Sequence, residues 1–590
     1  MSTPKIGFWR IFWPTLVSSL ILSVIGWIFW LIVFSSLFST EEKVENRTVL
    51  HMKLDQEVTE MSNTSFDQGS FSMNKQLGIS DVIHGLKKAK DDKEVKGIYL
   101  ELGNVSMGYA KAKEIRDAIS DFQSSGKFVV AYLNGEFISQ KQYYIASVAK
   151  EIYGFPTSTV EFMGLGAEIM FLKGMFDKYG VEMQVIRGSN NDFKSAVEPY
   201  FRDNMSDSSR LQSNRFLSSM WEDIRSEIAT SRKMTAQQLF DIAENVKVQR
   251  MEDALKYKFI DGLKYSDEVE ALVSKKAKLD DLSDIESFEK YAKKKFKIEQ
   301  QLLSNEGGAN VAVIVADGAI TVDGDEIASR KLCGYFREAR NDDDIKVVVF
   351  RVNSPGGSAL ASEEIWREVM LTEKTKKVIV SMGDYAASGG YYISAPASTI
   401  FAENTTITGS IGVFGVIPFT GDLFQKNFGI TFDRVQTNKH SVLSLNKRLT
   451  EEEMSMIQGE VDKTYLQFKK RVADGRGMTV EQVQKIARGR VWSGKDAVKI
   501  GLVDKIGGFE DALAYAIKEA KIKTPTLRYY PKVKENKWEE AIETLSEEEE
   551  TIQFKSSKLP KIANDLIKVL EKIESWRGIQ MRLPVEMEIN

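Results

Sequence analysis

The strongest constraint on what this chain can fold into is that it repeats itself. Residues near 80–200 and 330–440 follow one script of apolar strand, glycine-bearing turn, helix and second strand. In the later half, Lys346-Val347-Val348-Val349-Phe350-Arg351-Val352 reads as a buried strand, and Lys96-Gly97-Ile98-Tyr99-Leu100-Glu101-Leu102 is its earlier counterpart. An amphipathic helix is expected near 110–122. Two further strands follow, Lys127 to Tyr132 and Lys377 to Met382. Tyr143-Tyr144-Ile145 then aligns with Tyr391-Tyr392-Ile393 at an offset of 248 residues (391 minus 143), and Gly180-Val181 matches Gly429-Ile430 at 249. Strands alternating with helices at this spacing predict βαβ units and a mostly parallel sheet in each half. The fold class is therefore α/β, duplicated. At 590 residues the chain is also too long for one ordinary core.

The two halves differ chemically at their turns, where function is usually carried. After its first strand the later half reads Asn353-Ser354-Pro355-Gly356-Gly357-Ser358, whereas the matching Gly103-Asn104-Val105-Ser106-Met107-Gly108 lacks paired glycines. Paired glycines let the backbone approach a ligand and present bare N–H donors, as a developing oxyanion requires, although a tight turn alone would use them too. The second strand leads into Gly383-Asp384-Tyr385-Ala386-Ala387-Ser388-Gly389-Gly390, which sets Ser388 at a helix start among small residues. A serine there is most often an N-cap, but the helix dipole at the same point also favours negative charge. The first-half positions Gln140, Lys141 and Gln142 carry neither the serine nor the glycines.

A serine nucleophile needs a base, and of His51, His84 and His440 only the last lies in the later half. Lysine is the next candidate. Lys194 is flanked by Phe193, Ala196 and Val197, which would desolvate it. An unperturbed lysine, with pKa about 10.4, is neutral roughly once in 2,500 at pH 7, a cost of about 4.6 kcal/mol, so a lysine base must be buried. Cys333, the single cysteine, has no activating neighbours and reads as a small buried hydrophobe.

Composition excludes several classes. Hydrophobic residues make up 43% and charged residues 28%, as in a folded protein, and the net charge of −4 argues against binding nucleic acid. The scattered histidines give a metal hydrolase little to build on, so neither metal nor cofactor is expected. From Ile11 to Thr40 no side chain is charged, which is long enough to span a bilayer. Lys5 and Arg10 before it and Glu41 and Glu42 after it predict a retained anchor through residues 11–38 with a cytoplasmic amino terminus. Residues 275–308 read as a charged connector. The tail, 525–590, carries the acid run Glu547 to Glu550 and an amphipathic stretch near 562–576.

Taken together, Ser354-Pro355-Gly356-Gly357, Ala387-Ser388-Gly389-Gly390-Tyr391-Tyr392, Thr408-Gly409-Ser410-Ile411-Gly412 and Phe193-Lys194-Ser195-Ala196-Val197-Glu198-Pro199 resemble the bacterial signal peptide peptidases in their long, duplicated form. The likeness extends through Gly489-Arg490-Val491-Trp492 and Gly501-Leu502-Val503-Asp504. It implies tandem ClpP/crotonase-like domains and a Ser/Lys dyad, with Ser388 as nucleophile, Lys194 as base and Ser410 supporting the base. It further implies backbone oxyanion donors at Gly389 and at Gly356 or Gly357. A homotetramer on the extracytoplasmic face of the bacterial inner membrane, cutting signal-peptide remnants and other apolar peptides, belongs to the same implication. The domains are then an anchor (1–45), a base-carrying half (46–274), the connector, a serine-carrying half (309–524) and the tail. An inactive membrane-bound scaffold and a crotonase-type acyl-CoA enzyme are the competing readings.

Overall fold

The computed structural model describes residues 48–67, 72–279, 284–292, 308–324, 326–531 and 579–583. The expected spanning segment 11–38, the acid run and the stretch near 562–576 lie outside these residues. Among the described residues no helix is long and apolar enough to cross a membrane.

The first half contributes β1 (Thr48–Leu54), β2 (Val95–Leu102), β3 (Phe128–Leu133), β4 (Glu151–Gly154), β5 (Glu182–Arg187), β6 (Gly262–Leu263) and β7 (Ile285–Ser287). All but β5 form one fully parallel sheet in the order β6-β4-β3-β2-β1-β7. Its strands are apolar on both faces because both are covered. Ile98, Leu100 and Leu102 enter one core, while Tyr99, with Val130 and Tyr132, packs under the helix Ser266–Ala277.

The second half contributes β8 (Val311–Asp317), β9 (Val347–Ser354), β10 (Gly356–Ser358), β11 (Lys377–Ala387), β12 (Ile407–Gly409), β13 (Phe414–Phe419), β14 (Val491–Ser493), β15 (Leu527–Tyr530) and β16 (Gln580–Arg582). Its main sheet runs β14-β12-β11-β9-β8-β15 and is parallel except for β14. Alternation again divides the strands: Val348, Phe350 and Val352 face one core, Val347 and Val349 the other under the helix Phe509–Glu519. Two expected boundaries shift for the same reason. The connector donates β7 to the open side of β1, and the tail begins inside the second sheet, where β15 pairs with β8. A sheet edge left bare would leave its backbone groups unpaired, so flanking chain is recruited to it.

A third, mixed sheet belongs to both halves. β5 pairs antiparallel with β13 from Glu182 opposite Phe419 to Arg187 opposite Phe414, and the order continues through β16 and β10 to two short strands, Ile320–Thr321 and Ile327–Ala328. Charge fastens the halves elsewhere. Arg351, buried on β9, donates to Glu60 at 2.8 Å and to Glu114 at 2.7 Å, both buried and both from the first half. The Arg351 cation holds the Glu60 carboxyl below its usual range against the pull of burial, whereas burial pushes Glu114 up. The helix α1 (Tyr109–Ser124) starts at Gly108 without a cap of its own, and Asp384 of β11 supplies one, accepting from the N–H groups of Gly108, Ala110 and Lys111 at 3.1–3.2 Å.

Removing the cation alone would strand the buried Glu114 carboxyl and leave Glu60 only Lys111, at 3.6 Å. Arg351→Ala is expected to destabilise the protein by about 3–5 kcal/mol. A fall in thermal midpoint larger than that of an exposed control such as Arg330→Ala is the measurement that checks it.

Candidate active site

Lys194 follows β5 in a tight turn, where its N–H donates to Asn191 O at 3.1 Å before a short 3-10 turn, Ser195–Val197. The antiparallel pairing of β5 with β13 carries this turn onto the second half. Arg488 O accepts from Phe193 N at 2.9 Å, and Val413 O accepts from Asn191 Nδ2 at 3.1 Å. Gln212, on the helix α2 (Asp207–Arg232), clamps both sides of the lysine. Its Nε2 donates to Phe193 O at 2.9 Å and to Ser195 Oγ at 2.8 Å, and its Oε1 accepts from Val491 N at 3.1 Å. Gly489 lies flat on Lys194 at φ +78°, and a Cβ there would come within 2.6 Å of the lysine Cβ and backbone N.

Ser388 joins β11 to the helix α3 (Gly389–Ser394) at φ 55° and ψ −113°, a backbone conformation that costs a serine about 1–3 kcal/mol. Its side chain makes no capping hydrogen bond. The elbow is held instead by Ser388 N donating to Gly409 O at 2.8 Å. Ser410, at φ 49°, follows β12, and its N–H donates to Arg490 O at 2.7 Å. The segment 488–491 is therefore laced to the Ser410 loop on one side and to the Lys194 turn on the other.

These constraints bring three expected residues together. Lys194 Nζ lies 2.8 Å from Ser388 Oγ, 2.9 Å from Ser410 Oγ and 3.1 Å from Ser410 O. All three residues are fully buried. Burial alone holds the lysine pKa well below its usual value, and no carboxylate contributes to the shift. The expected flanks Phe193, Ala196 and Val197 are buried around it.

The glycines gather at the other side of Ser388. Gly356 has φ +96°, and a Cβ there would collide with Met581 O and close on Gly389 N, so only glycine lets β10 pass between β16 and the start of α3. A Cβ on Gly389 would lie 3.1 Å from Gly357 N. Gly356 N–H is donated to Ser354 Oγ at 3.1 Å. The first-half counterpart has no such elbow. There Ser139, at φ −70°, accepts from Gln142 N in an ordinary capping box that opens the helix Gln140–Ala146. The single cysteine, Cys333, is buried away from these residues, and burial pushes its thiol up to about 11. His440 lies beside Glu452 and Glu453, away from the serine's partners. Among the described residues no group of three or more His, Cys, Asp or Glu side chains is arranged to hold a metal ion.

Comparison with known proteins decides the family. The pattern of Peptidase family S49 matches twice, at residues 121–280 and 370–523. The chain belongs to peptidase family S49. It is 37% identical to Protease 4 of Salmonella typhi over 468 residues, 77% of this chain and 74% of that one. To the chloroplastic serine protease SPPA of Arabidopsis thaliana it is 31% identical, covering 84% and 73% of the two chains. A solved ClpP1 variant from Listeria monocytogenes aligns at 15% identity and TM-score 0.25, over 37% of this chain and 99% of that one. This S49 protein is accordingly a serine protease of the long SppA type, with the family domain present twice.

Sequence reasoning missed Gln212 and Gly489, which act on Lys194 from different parts of the chain, and the inter-half cap Asp384. Gly489 stood within a recognised motif, but nothing local tied it to a lysine 295 residues earlier (489 minus 194).

Two outcomes follow for this S49 protease. Gly489→Ala is expected to shift the Lys194 turn and lower kcat by about 10²-fold with little change in KM, because misplacement of about 1 Å costs that much. Steady-state kinetics checks it. A lysine whose folded pKa is depressed opposes folding, since the unfolded chain binds a proton that the folded one excludes. Stability therefore rises with pH from the lowered pKa up to about 10.4, by about 1.36 kcal/mol per unit. Lys194→Met should raise the thermal midpoint at neutral pH, with a gain that shrinks as the pH approaches 10.

Proposed function

We propose that the protein is a membrane-anchored endopeptidase that degrades signal-peptide remnants with a Ser/Lys dyad, Ser388 as nucleophile and Lys194 as general base. The observation that carries this reading is the 2.8 Å approach of a fully buried, carboxylate-free lysine amine to a serine held in a strained elbow. A neutral amine has two N–H donors and one lone pair. Ser410 O and Ser410 Oγ offer acceptors for the two donors, which leaves the lone pair for the Ser388 hydroxyl. In this role Ser410 orients the base.

The steps follow from these positions. Lys194 takes the Ser388 proton as Oγ attacks the peptide carbonyl, and the tetrahedral oxyanion forms beside the start of α3. Gly389 N–H and the N–H of Gly356 or Gly357 are the donors we assign to it, since all three glycines gather beside Ser388. Lys194 then passes its proton to the leaving amine. A water, deprotonated by the same lysine, attacks the acyl carbonyl, and the lysine returns that proton to Ser388 Oγ as the acyl group leaves, so the amine ends neutral.

The uncharged stretch 11–38 supports an anchor with the catalytic halves on the extracytoplasmic side, and the bacterial relatives support an inner-membrane location. Substrates left in a bilayer are apolar, which matches the Leu, Ala and Val content of signal peptides. Likeness to the long, duplicated peptidases supports assembly as a homotetramer.

The test is hydrolysis of apolar fluorogenic peptides by the full chain beside its Ser388→Ala and Lys194→Ala variants. The parent should cleave and both variants should fall by about 10³-fold or more. The acid limb of kcat/KM should rise with pH through the lowered Lys194 pKa, because only the deprotonated amine accepts the serine proton. Full activity in Lys194→Ala would overturn the base assignment, and binding without cleavage by the parent would favour a scaffold.

A further inference from the structure

A cavity of about 370 Å³ opens between the halves, bounded by α1 of the first and the helix Phe509–Glu519 of the second. That volume is in the range of small-molecule sites, and none of Ser388, Lys194 and Ser410 lines it. α1 turns Glu114, Asp117 and Asp121 toward it, a spacing that sets side chains on one face of a helix. The run covers about 10.5 Å of the axis at a rise of about 1.5 Å per residue. The facing helix adds Glu510 and Asp511 in its first turn. Lys87 is the one basic residue among those lining the cavity, and Glu510 holds it at 2.9 Å.

Acids on a surface are ordinarily solvated and need no ligand. The floor of this cavity is different. Glu403 comes from the second half, directly after the strand Thr399–Ala402, and is 2% exposed. A turn fixes its backbone: its N–H donates to Thr406 Oγ1 and its carbonyl accepts from Thr406 N, both at 3.1 Å. Its carboxylate, which lines the cavity, has no hydrogen-bond or ion-pair partner among the described residues. The cation facing it, Lys113, is engaged by Asp117 and, at 3.6 Å, by Glu227. Burial pushes the Glu403 carboxyl well above its usual range, and Glu114, Asp117 and Asp511 push the same way against Lys113. Glu114, the other buried acid, is satisfied by Arg351 and by the N–H of Phe509. One carboxylate at the floor therefore lacks a cation.

The shape of the lining says which kind of cation fits. The acids are strung along the cavity, and among the described residues no three are arranged to hold a metal ion. Between them lie the apolar side chains of Ile83, Ala118, Phe509 and Ala514. Methylene segments punctuated by amines meet both kinds of wall. We propose that the cavity binds an aliphatic polyamine, with one ammonium on Glu403 at the floor and the others on Asp117, Asp121 and Asp511 at the rim. Each rim carboxylate accepts its existing bond through one oxygen, and its second oxygen receives the ligand. Asp117 and Asp121 belong to the first half, Glu403 and Asp511 to the second. The bound amine thus ties the halves together and stabilises the folded chain by mass action.

The probe is spermidine, and the protein is the full chain in detergent. Equilibrium dialysis should show one saturable site per chain, and spermidine should raise the thermal midpoint far more than magnesium or propylamine at equal ionic strength. Glu403→Gln removes the floor charge and should weaken spermidine binding about tenfold, the worth of a hydrogen bond to a charged group. Asp121→Asn, on the exposed rim, should weaken it severalfold, and it keeps the test decisive where Glu403→Gln folds poorly. A parent with no saturable binding at millimolar spermidine would overturn the site. Equal displacement by magnesium, or parental affinity in both variants, would overturn it as well.

Discussion

The site depends on taking one lysine amine out of water without giving it a counter-charge. Proteins usually bury lysine beside a carboxylate, and that partner would hold the proton on the amine. Around Lys194 the acceptors are a serine hydroxyl and a backbone carbonyl, and the wall is apolar. Hydroxyl and carbonyl dipoles satisfy the amine's N–H groups without stabilising the ammonium as an anion would. The cost falls on folding stability, so the surrounding structure must over-determine the turn. It does so by the β5–β13 ladder, the Gln212 clamp and the contact with Gly489.

The same economy explains why the two halves diverged where they did. The helix that opens at Gln140 begins with a capping box, the low-energy way to start a helix, while the one behind Ser388 begins with a strained, uncapped serine. Keeping the strained version is worthwhile only where a partner surface makes use of it. The second half has that surface in the Lys194 turn. The first half has neither the glycines nor a lysine brought to it within the chain, and it has relaxed into an ordinary cap. Its work has become structural: it delivers Lys194 to Ser388, and through Glu60 and Glu114 it neutralises Arg351.

Much of this was legible in the sequence because it is local. Runs such as Val347 to Val352 are apolar on both faces, and that pattern marks a covered parallel strand wherever it occurs. The elbow at Ser388 was legible from small residues next to a helix start, and the lysine from its apolar flanks together with a family motif. What escaped was whatever depends on contacts between distant segments. Asp384 reads as a loop residue, yet it caps a helix of the other half. Gln212 reads as one polar position on a long helix, and only the fold shows its amide spanning both sides of Lys194. The strands at Leu527–Tyr530 and Ile285–Ser287 were read as tail and connector because short edge strands carry little periodicity of their own.

The base and the nucleophile we propose lie on separate halves and could also meet by association of two separate chains, so covalent linkage needs a physical reason. Joining the halves turns their encounter into an intramolecular event, with an effective concentration far above that of any separate partner. It also makes the joint between the halves permanent. That joint can then specialise: the lysine is desolvated across it, with positional demands of a fraction of an ångström, and any opening would rehydrate the amine and restore its proton. Covalent linkage thus keeps the contact of Lys194 with Ser388 at a joint that cannot dissociate.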